Sequence, residues 1–357
     1  MRSAQLSVSH RTGYLALLSL LALGALTAGC SQSTTLTTEP SITQTSHVHI
    51  DISGSFSGSM CGRNVVAFSP DGSKIALFPS YCTPVVIFDV SAGKPLETDW
   101  PFSSEPMGNI SLQFSRDGNT FLAYGQRSGI AGEGANVSCW KSDGTSLGGL
   151  NSNHSNYIYS ATLTPDGASV IIADVSGVYK YDIASRTITA RFAVPGSVKV
   201  DGVTANGTRL VVSSSDTVYI WDMASNRAVS SFKILSVREG ETGILSPDGA
   251  IIAFTYPSLN FYSLTSGTAI NPAPIIGYNF VGIHPDNARF LAWHTGQGNG
   301  PGLFSISDGS ASQLFDAPDS LGYHFGAAIS ANGKLAASVY GSGNGYDGSV
   351  LRIWDVK

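Results

Sequence analysis

The sequence predicts an all-β fold, a seven-bladed β-propeller whose last blade is closed by a strand from near the N-terminus. Three observations predict it: a turn phrase that returns seven times, a short aromatic-rich strand after each return, and a turn-rich composition. Of 357 residues 40 are glycine, and 13% are charged against ~25% in an average soluble domain.

The phrase reads FSPDG at 68–72, FSRDG at 114–118, LTPDG at 163–167, VTANG at 203–207, LSPDG at 245–249, IHPDN at 283–287 and ISANG at 329–333. Successive copies close 46, 49, 40, 42, 38 and 46 residues apart, the length of one propeller blade. Asp-Gly and Asn-Gly accept the positive φ of a tight hairpin, and proline ahead of them stops the incoming strand from pairing further. Apolar β-formers flank each copy, as VVAF and KIALF do within 65–78. Each copy therefore predicts a first strand, a turn and a second strand.

A third strand follows in every unit: VVIFDV (85–90), VSCW (137–140), VYKYD (178–182), VYIWD (218–222), LNFYS (259–263), GLFS (302–305) and VLRIWD (350–355). Two end in Trp-Asp, at Trp221-Asp222 and Trp354-Asp355, while Phe88-Asp89 and Tyr181-Asp182 keep an aromatic before the acid. In NHSNYIYSATLTPDG, His154 stands twelve residues before Asp166. On these residues the chain resembles the WD-repeat propellers over nearly everything from His47 to Lys357. The resemblance implies partner binding by a rigid ring and a structural, hydrogen-bonding role for His154; it identifies no partner.

The chain ends on a third strand, which leaves the last blade without its outer one. HVHIDI at 47–52 alternates polar and apolar residues as a half-buried strand does. It is expected to complete blade seven and remove the exposed edges.

Ahead of that strand, MRSAQLSVSHR carries Arg2 and Arg11 and no acid, then YLALLSLLALGALTAG runs apolar to small residues. This is the layout of a secretory signal, and the run is short of the ~20 residues that span a bilayer. Leu26, Thr27, Ala28 and Gly29 before Cys30 resemble a bacterial lipoprotein signal. That resemblance implies cleavage ahead of Cys30, a diacylglyceryl thioether on its sulfur and an N-linked acyl chain such as palmitate. Two or more chains anchor a protein stably where one does not. Ser31 in place of aspartate implies the outer membrane if the host is diderm. Residues 31–46, SQSTTLTTEPSITQTS, lack apolar periodicity and read as a solvated tether. The expected domains are a signal at 1–29, lipidated Cys30 with a tether at 30–46, and the propeller at 47–357, in the bacterial cell envelope on the extracytoplasmic side.

With the signal removed, 18 basic and all 25 acidic residues remain, a formal charge of −7. Sustained Lys/Arg patches are absent from the sequence, which argues against a nucleic-acid partner. No zinc-type cysteine pairing appears, and no cofactor is expected beyond the lipid on Cys30.

Around Asp71-Gly72, residue 70 faces 73, and the same register sets Cys61 opposite Cys82. Export permits a disulfide there; the alternative is two small buried hydrophobes. Cys139 has no evident partner and reads as core. His47, His49 and Asp51 share one strand face in a metal-like spacing, but with no fourth ligand the solvent face of a closing strand is the better reading. No Gly-x-Ser-x-Gly elbow marks a nucleophile.

In such blades the turns after the first and third strands share one face, and the remaining connections share the other. Three second-to-third-strand loops on that other face are long and glycine-rich: GQRSGIAGEGAN (125–136), HTGQGNGPG (294–302) and YGSGNGYDGS (340–349). Counting back from each turn places Arg63, Tyr157, Arg238, Glu239, Tyr278, Tyr323 and His324 around the channel mouth on the same side. IGYNF (276–280) and LGYHF (321–325) repeat an aromatic theme there; channel plugging by the same rings is the competing reading. A membrane-tethered module that binds an envelope protein or a glycan is the expected function. The alternative is an extracytoplasmic enzyme of lactonase, lyase or quinoprotein type, which would gather carboxylates, imidazoles or metal ligands at that mouth.

Overall fold

The computed structural model describes residues 46–51, 65–78, 85–96, 107–127, 136–151, 158–196, 198–234, 242–255, 258–271, 276–294, 300–315, 323–341 and 350–357. The chain divides into two compact units, Met1–Glu39 and Pro40–Lys357, and every described residue belongs to the second.

The N-terminal strand β1 (Ser46–Asp51) precedes blade one, β2 (Val65–Phe68), β3 (Lys74–Phe78), β4 (Val86–Asp89) and β5 (Lys94–Pro95). Blade two holds β6 (Met107–Phe114), β7 (Thr120–Arg127), β8 (Asn136–Lys141) and β9 (Ser146–Asn151). Blade three holds β10 (Ile158–Leu163), β11 (Ser169–Asp174), β12 (Gly177–Asp182) and β13 (Thr187–Phe192). Blade four holds β14 (Lys199–Val203), β15 (Arg209–Ser214), β16 (Thr217–Asp222) and β17 (Arg227–Lys233). Blade five holds β18 (Ile244–Leu245), β19 (Ile251–Phe254) and β20 (Asn260–Ser263); blade six holds β21 (Tyr278–Ile283), β22 (Arg289–His294), β23 (Gly302–Ser305) and β24 (Ala311–Leu314). Blade seven is β25 (Tyr323–Ile329), β26 (Leu335–Gly341) and β27 (Val350–Asp355), with β1 paired outside β27.

The expected closure is therefore present: His49 lies opposite Arg352 and Asp51 opposite Val350. The first strands touch in sequence around the ring, and β25 meets β2 to close it. Position in the blade follows from composition. Second strands such as SVIIAD (β11) and IIAF (β19) are buried along their whole length, because a blade in the ring is covered on both faces. The outermost RAVSSFK (β17) is exposed at six of its seven positions.

The seven turns share one construction. Gly72 N–H donates to the Ser69 carbonyl, and Gly118, Gly167, Gly207, Gly249, Asn287 and Gly333 repeat that bond at 2.8 to 2.9 Å. Each closing residue has positive φ, from 57° at Asn287 to 76° at Gly72, which glycine and asparagine tolerate best. The loop is four residues long rather than the two expected, since Ser69 and Lys74 are the last bonded pair. Pro70 takes the second position of a turn that favours it there. The strand register is nevertheless the expected one, with Val65 opposite Phe78 and Phe68 opposite Ile75.

Between blades lie seven apolar clusters, each built from two neighbours. Cluster seven joins blades six and seven through Leu291, Leu303, Phe315, Tyr340 and Trp354. Polar bonds cross every seam as well. Gln113 Oε1 accepts from Leu163 N at 2.9 Å, Ser160 Oγ from Val200 N at 2.6 Å and Asp201 Oδ1 from Gly243 N at 2.6 Å. Asn287 Nδ2 donates to Asp248 Oδ2 at 2.6 Å, Gln313 Nε2 to Asp355 O at 3.1 Å, Asn332 Nδ2 to Asp71 O at 3.2 Å and Lys74 Nζ to Ser142 O at 2.8 Å.

Blade five departs from the pattern. Among the described residues its fourth strand is one bridge, Tyr262 opposite Ala269, and the buried Asn271 adds to the pairing. Its Oδ1 accepts from Phe261 N at 2.8 Å, while Ile270 N–H donates to Phe261 O at 2.8 Å.

Candidate binding face

The seven first-to-second-strand turns make up the turn face, and their polar side chains are spent on one another. Ser69 Oγ donates to Asp71 Oδ1 at 2.6 Å and accepts from Lys74 N at 2.9 Å; Thr164 with Asp166 and Ser169, and Ser330 with Asn332 and Leu335, repeat the arrangement. The Ser69 hydroxyl holds the Asp71 carboxyl below the usual carboxylate range, and the Thr164 hydroxyl does the same for Asp166. Blade six substitutes His284 for the hydroxyl. Its Nδ1 accepts from Asp286 N at 3.2 Å, and its Nε2 lies 3.2 Å from the Gly333 carbonyl of blade seven. Burial opposes ionisation of Asp286, but the Ala288 N–H, the Arg289 guanidinium at 2.7 Å and His284 outweigh it, and the pKa falls to about 2. Arg116 of blade two also reaches the Pro247 carbonyl of blade five on this face.

The opposite, loop face receives the starts of the first strands. Tyr278 and Tyr323 begin the first strands of neighbouring blades, opposite His294 and Gly341. The Tyr278 ring packs against Phe304 with centroids 4.6 Å apart and against Phe290 at 6.0 Å, and its hydroxyl lies 3.3 Å from the Gly309 carbonyl. Burial pushes its phenol up from the ordinary value. Tyr278 is thus half-buried in the aromatic packing of blade six. The backbone of His324 lies in β25 opposite Tyr340, and its side chain, like that of Tyr323, is outside the description. Arg63, Tyr157, Arg238 and Glu239 lie outside the described residues, as do Cys30, His154 and the Cys61–Cys82 pair.

Two features of this side were not anticipated from the sequence. Five first strands carry an irregularity, near the loop end in β6, β10 and β25 and mid-strand in β14 and β21. Bulges re-aim side chains, and the one in β14 falls at Asp201, whose carboxylate accepts from Gly243 N and from Ser213 Oγ at 3.0 Å. Ile276, 75% exposed just before β21, stands beside exposed Gly277 and Asn279. An isolated exposed isoleucine has no periodic signature, and a bulge residue breaks the alternation by which a strand is read.

A register shift also falls between Ser46 and Val48; the side chains of His47, His49 and Asp51 lie outside the description. Among the described residues no group of three or more His, Cys, Asp or Glu side chains is placed to hold a metal. Cys139 is buried in the seam between blades two and three, and burial pushes its thiol up to about 12.

No protein-family model matches the chain. No curated protein matches it either. Among solved structures, a chain from the crystal structure of a mitotic checkpoint complex is similar at 16% identity, with a TM-score of 0.61 over 89% of this chain and 98% of that one. At that identity the likeness is one of fold, and it agrees with the seven-bladed ring.

Proposed function

We propose that this chain is a lipid-anchored, extracytoplasmic binding module of the bacterial envelope, whose loop face docks an envelope protein or a glycan. The β-propeller fold is consistent with a protein-interaction module, and the observation that carries the reading is the closed ring. All seven seams are both apolar and hydrogen-bonded, so the loops project from a support that moves little on binding. The docking residues are Arg63, Tyr157, Arg238, Glu239, Tyr278, Tyr323 and His324, around the mouth where the first strands begin. Diacylglyceryl and acyl chains on Cys30 hold the module at the bilayer, with residues 31–46 as its tether.

The test is crosslinking of the natively lipidated protein in its own cells, followed by mass spectrometry, beside a Tyr157→Ala/Tyr323→Ala variant. A partner captured by the parent and lost from the variant supports the module and locates its face. Identical crosslinks from both proteins overturn the aromatic-mouth assignment. Labelled palmitate incorporated by the parent and not by Cys30→Ala tests the anchor separately.

A further inference from the structure

We infer that the turn face is the bilayer-proximal face of the ring and that the loop face is presented away from the membrane. This rests on the lipid anchor at Cys30 proposed above, and it follows from the direction of one strand. Leu335, just after the turn that closes at Gly333, pairs with Asp355, whereas Tyr340 near the far end of β26 pairs with Val350. β27 therefore runs from the loop face to the turn face. β1 is antiparallel to it, with Ser46 opposite Trp354 and Asp51 opposite Val350. The chain consequently enters the ring at the turn face, on the outermost strand of blade seven.

Covalent geometry does the rest. Fifteen residues, Ser31 to Thr45, separate Cys30 from Ser46. At ~3.3–3.6 Å per residue they reach at most about 55 Å. The six residues of β1 add about 20 Å more before the loop face is reached. The lipid is thus joined to the chain where it enters the turn face, and the loop face lies one blade height further along. A partner then approaches the loop face without crossing the lipid surface.

The test places one cysteine on each face of blade six, beside the point of entry: Ala288→Cys in the turn, and Ile276→Cys before the first strand, both at exposed positions. Each is made in the full chain and in a chain lacking Thr34–Thr43, whose remaining five residues reach about 20 Å. Membranes are treated with a bulky polyethylene-glycol maleimide, and the rate is compared with that of the same protein in detergent, which cancels any native thiols. In the shortened chain the expected outcome is a fall of about fivefold or more at Ala288→Cys and less than about twofold at Ile276→Cys, as a linker that cannot span excludes the reagent. Equal loss at both positions, or greater loss at Ile276→Cys, overturns the orientation. Absence of the unaltered full chain from the membrane fraction overturns the anchor itself, and the orientation with it.

Discussion

Thr164 shows what a single hydroxyl does in this molecule. Buried at the end of β10, it donates to Asp166 and accepts from Ser169 N–H at 3.0 Å. Thr164→Val keeps the shape and leaves a buried donor without its acceptor, so urea unfolding should show a loss of ~1–3 kcal/mol, with Thr164→Ser restoring most of it. Asp286 makes a pH-dependent contribution with a defined sign. Its folded pKa, about 2, lies below the ordinary carboxylate value of 3.8, so its stabilisation is complete above ~4 and is lost as pH falls through ~2. Its side chain is 35% exposed, and solvent screening limits the effect to ~1 kcal/mol or less. Asp286→Asn should lower the urea midpoint at pH 6 and match the parent near pH 2. The acid in the turn phrase was legible in the sequence, since it recurs in five of the seven copies. The carboxylate at Asp201 was not, because a bulge position has no fixed offset from the turn that follows it.

Elements were read with an accuracy that tracks how local their cause is. Turns and third strands were legible because five or six adjacent residues specify each. The fourth strands were not, because their residues face solvent and carry little pattern, as RAVSSFK in β17 shows. Blade five is the extreme case: after Ala269 the chain reads INPAP, and two prolines cannot donate to a ladder. The Asn271 side chain takes the place of a ladder partner by accepting from Phe261 N–H. Asn271→Ala should therefore cost ~1–3 kcal/mol and speed hydrogen exchange at the Phe261 amide more than at the amides of β19. A loss of stability without that local change would mean that the residue acts through packing. The closing strand was legible for another reason, a count that left blade seven one strand short. Deleting residues up to Asp51 uncovers the outer edge of β27, and exposed edges associate. Light scattering on warming should then rise well before the parent begins to unfold.

At the scale of the ring, stability depends on circular closure, and blade seven is the one blade made from both ends of the described chain. Each other blade is a continuous segment, so those six could separate at a seam without any strand ladder parting. Opening at blade seven requires the β1–β27 ladder to break or the seams at Trp354 and Leu351 to part. Trp354 is fully buried, and Trp354→Ala should cost ~3–5 kcal/mol. Joining Lys357 to Ser46 by a short linker and opening the chain between Phe315 and Tyr323 makes blade seven continuous too, while the apolar and hydrogen-bonded contacts at the seams are retained. The interlocked ladder then no longer ties the two ends of the chain, and only packing and side-chain bonds hold the ring shut. The circular dichroism of this permutant should match the parent, since every strand keeps its partners. Its unfolding rate in guanidinium should rise by about tenfold or more, because ring opening no longer needs a backbone ladder to part. An unchanged rate would place the barrier inside the blades rather than at the closure.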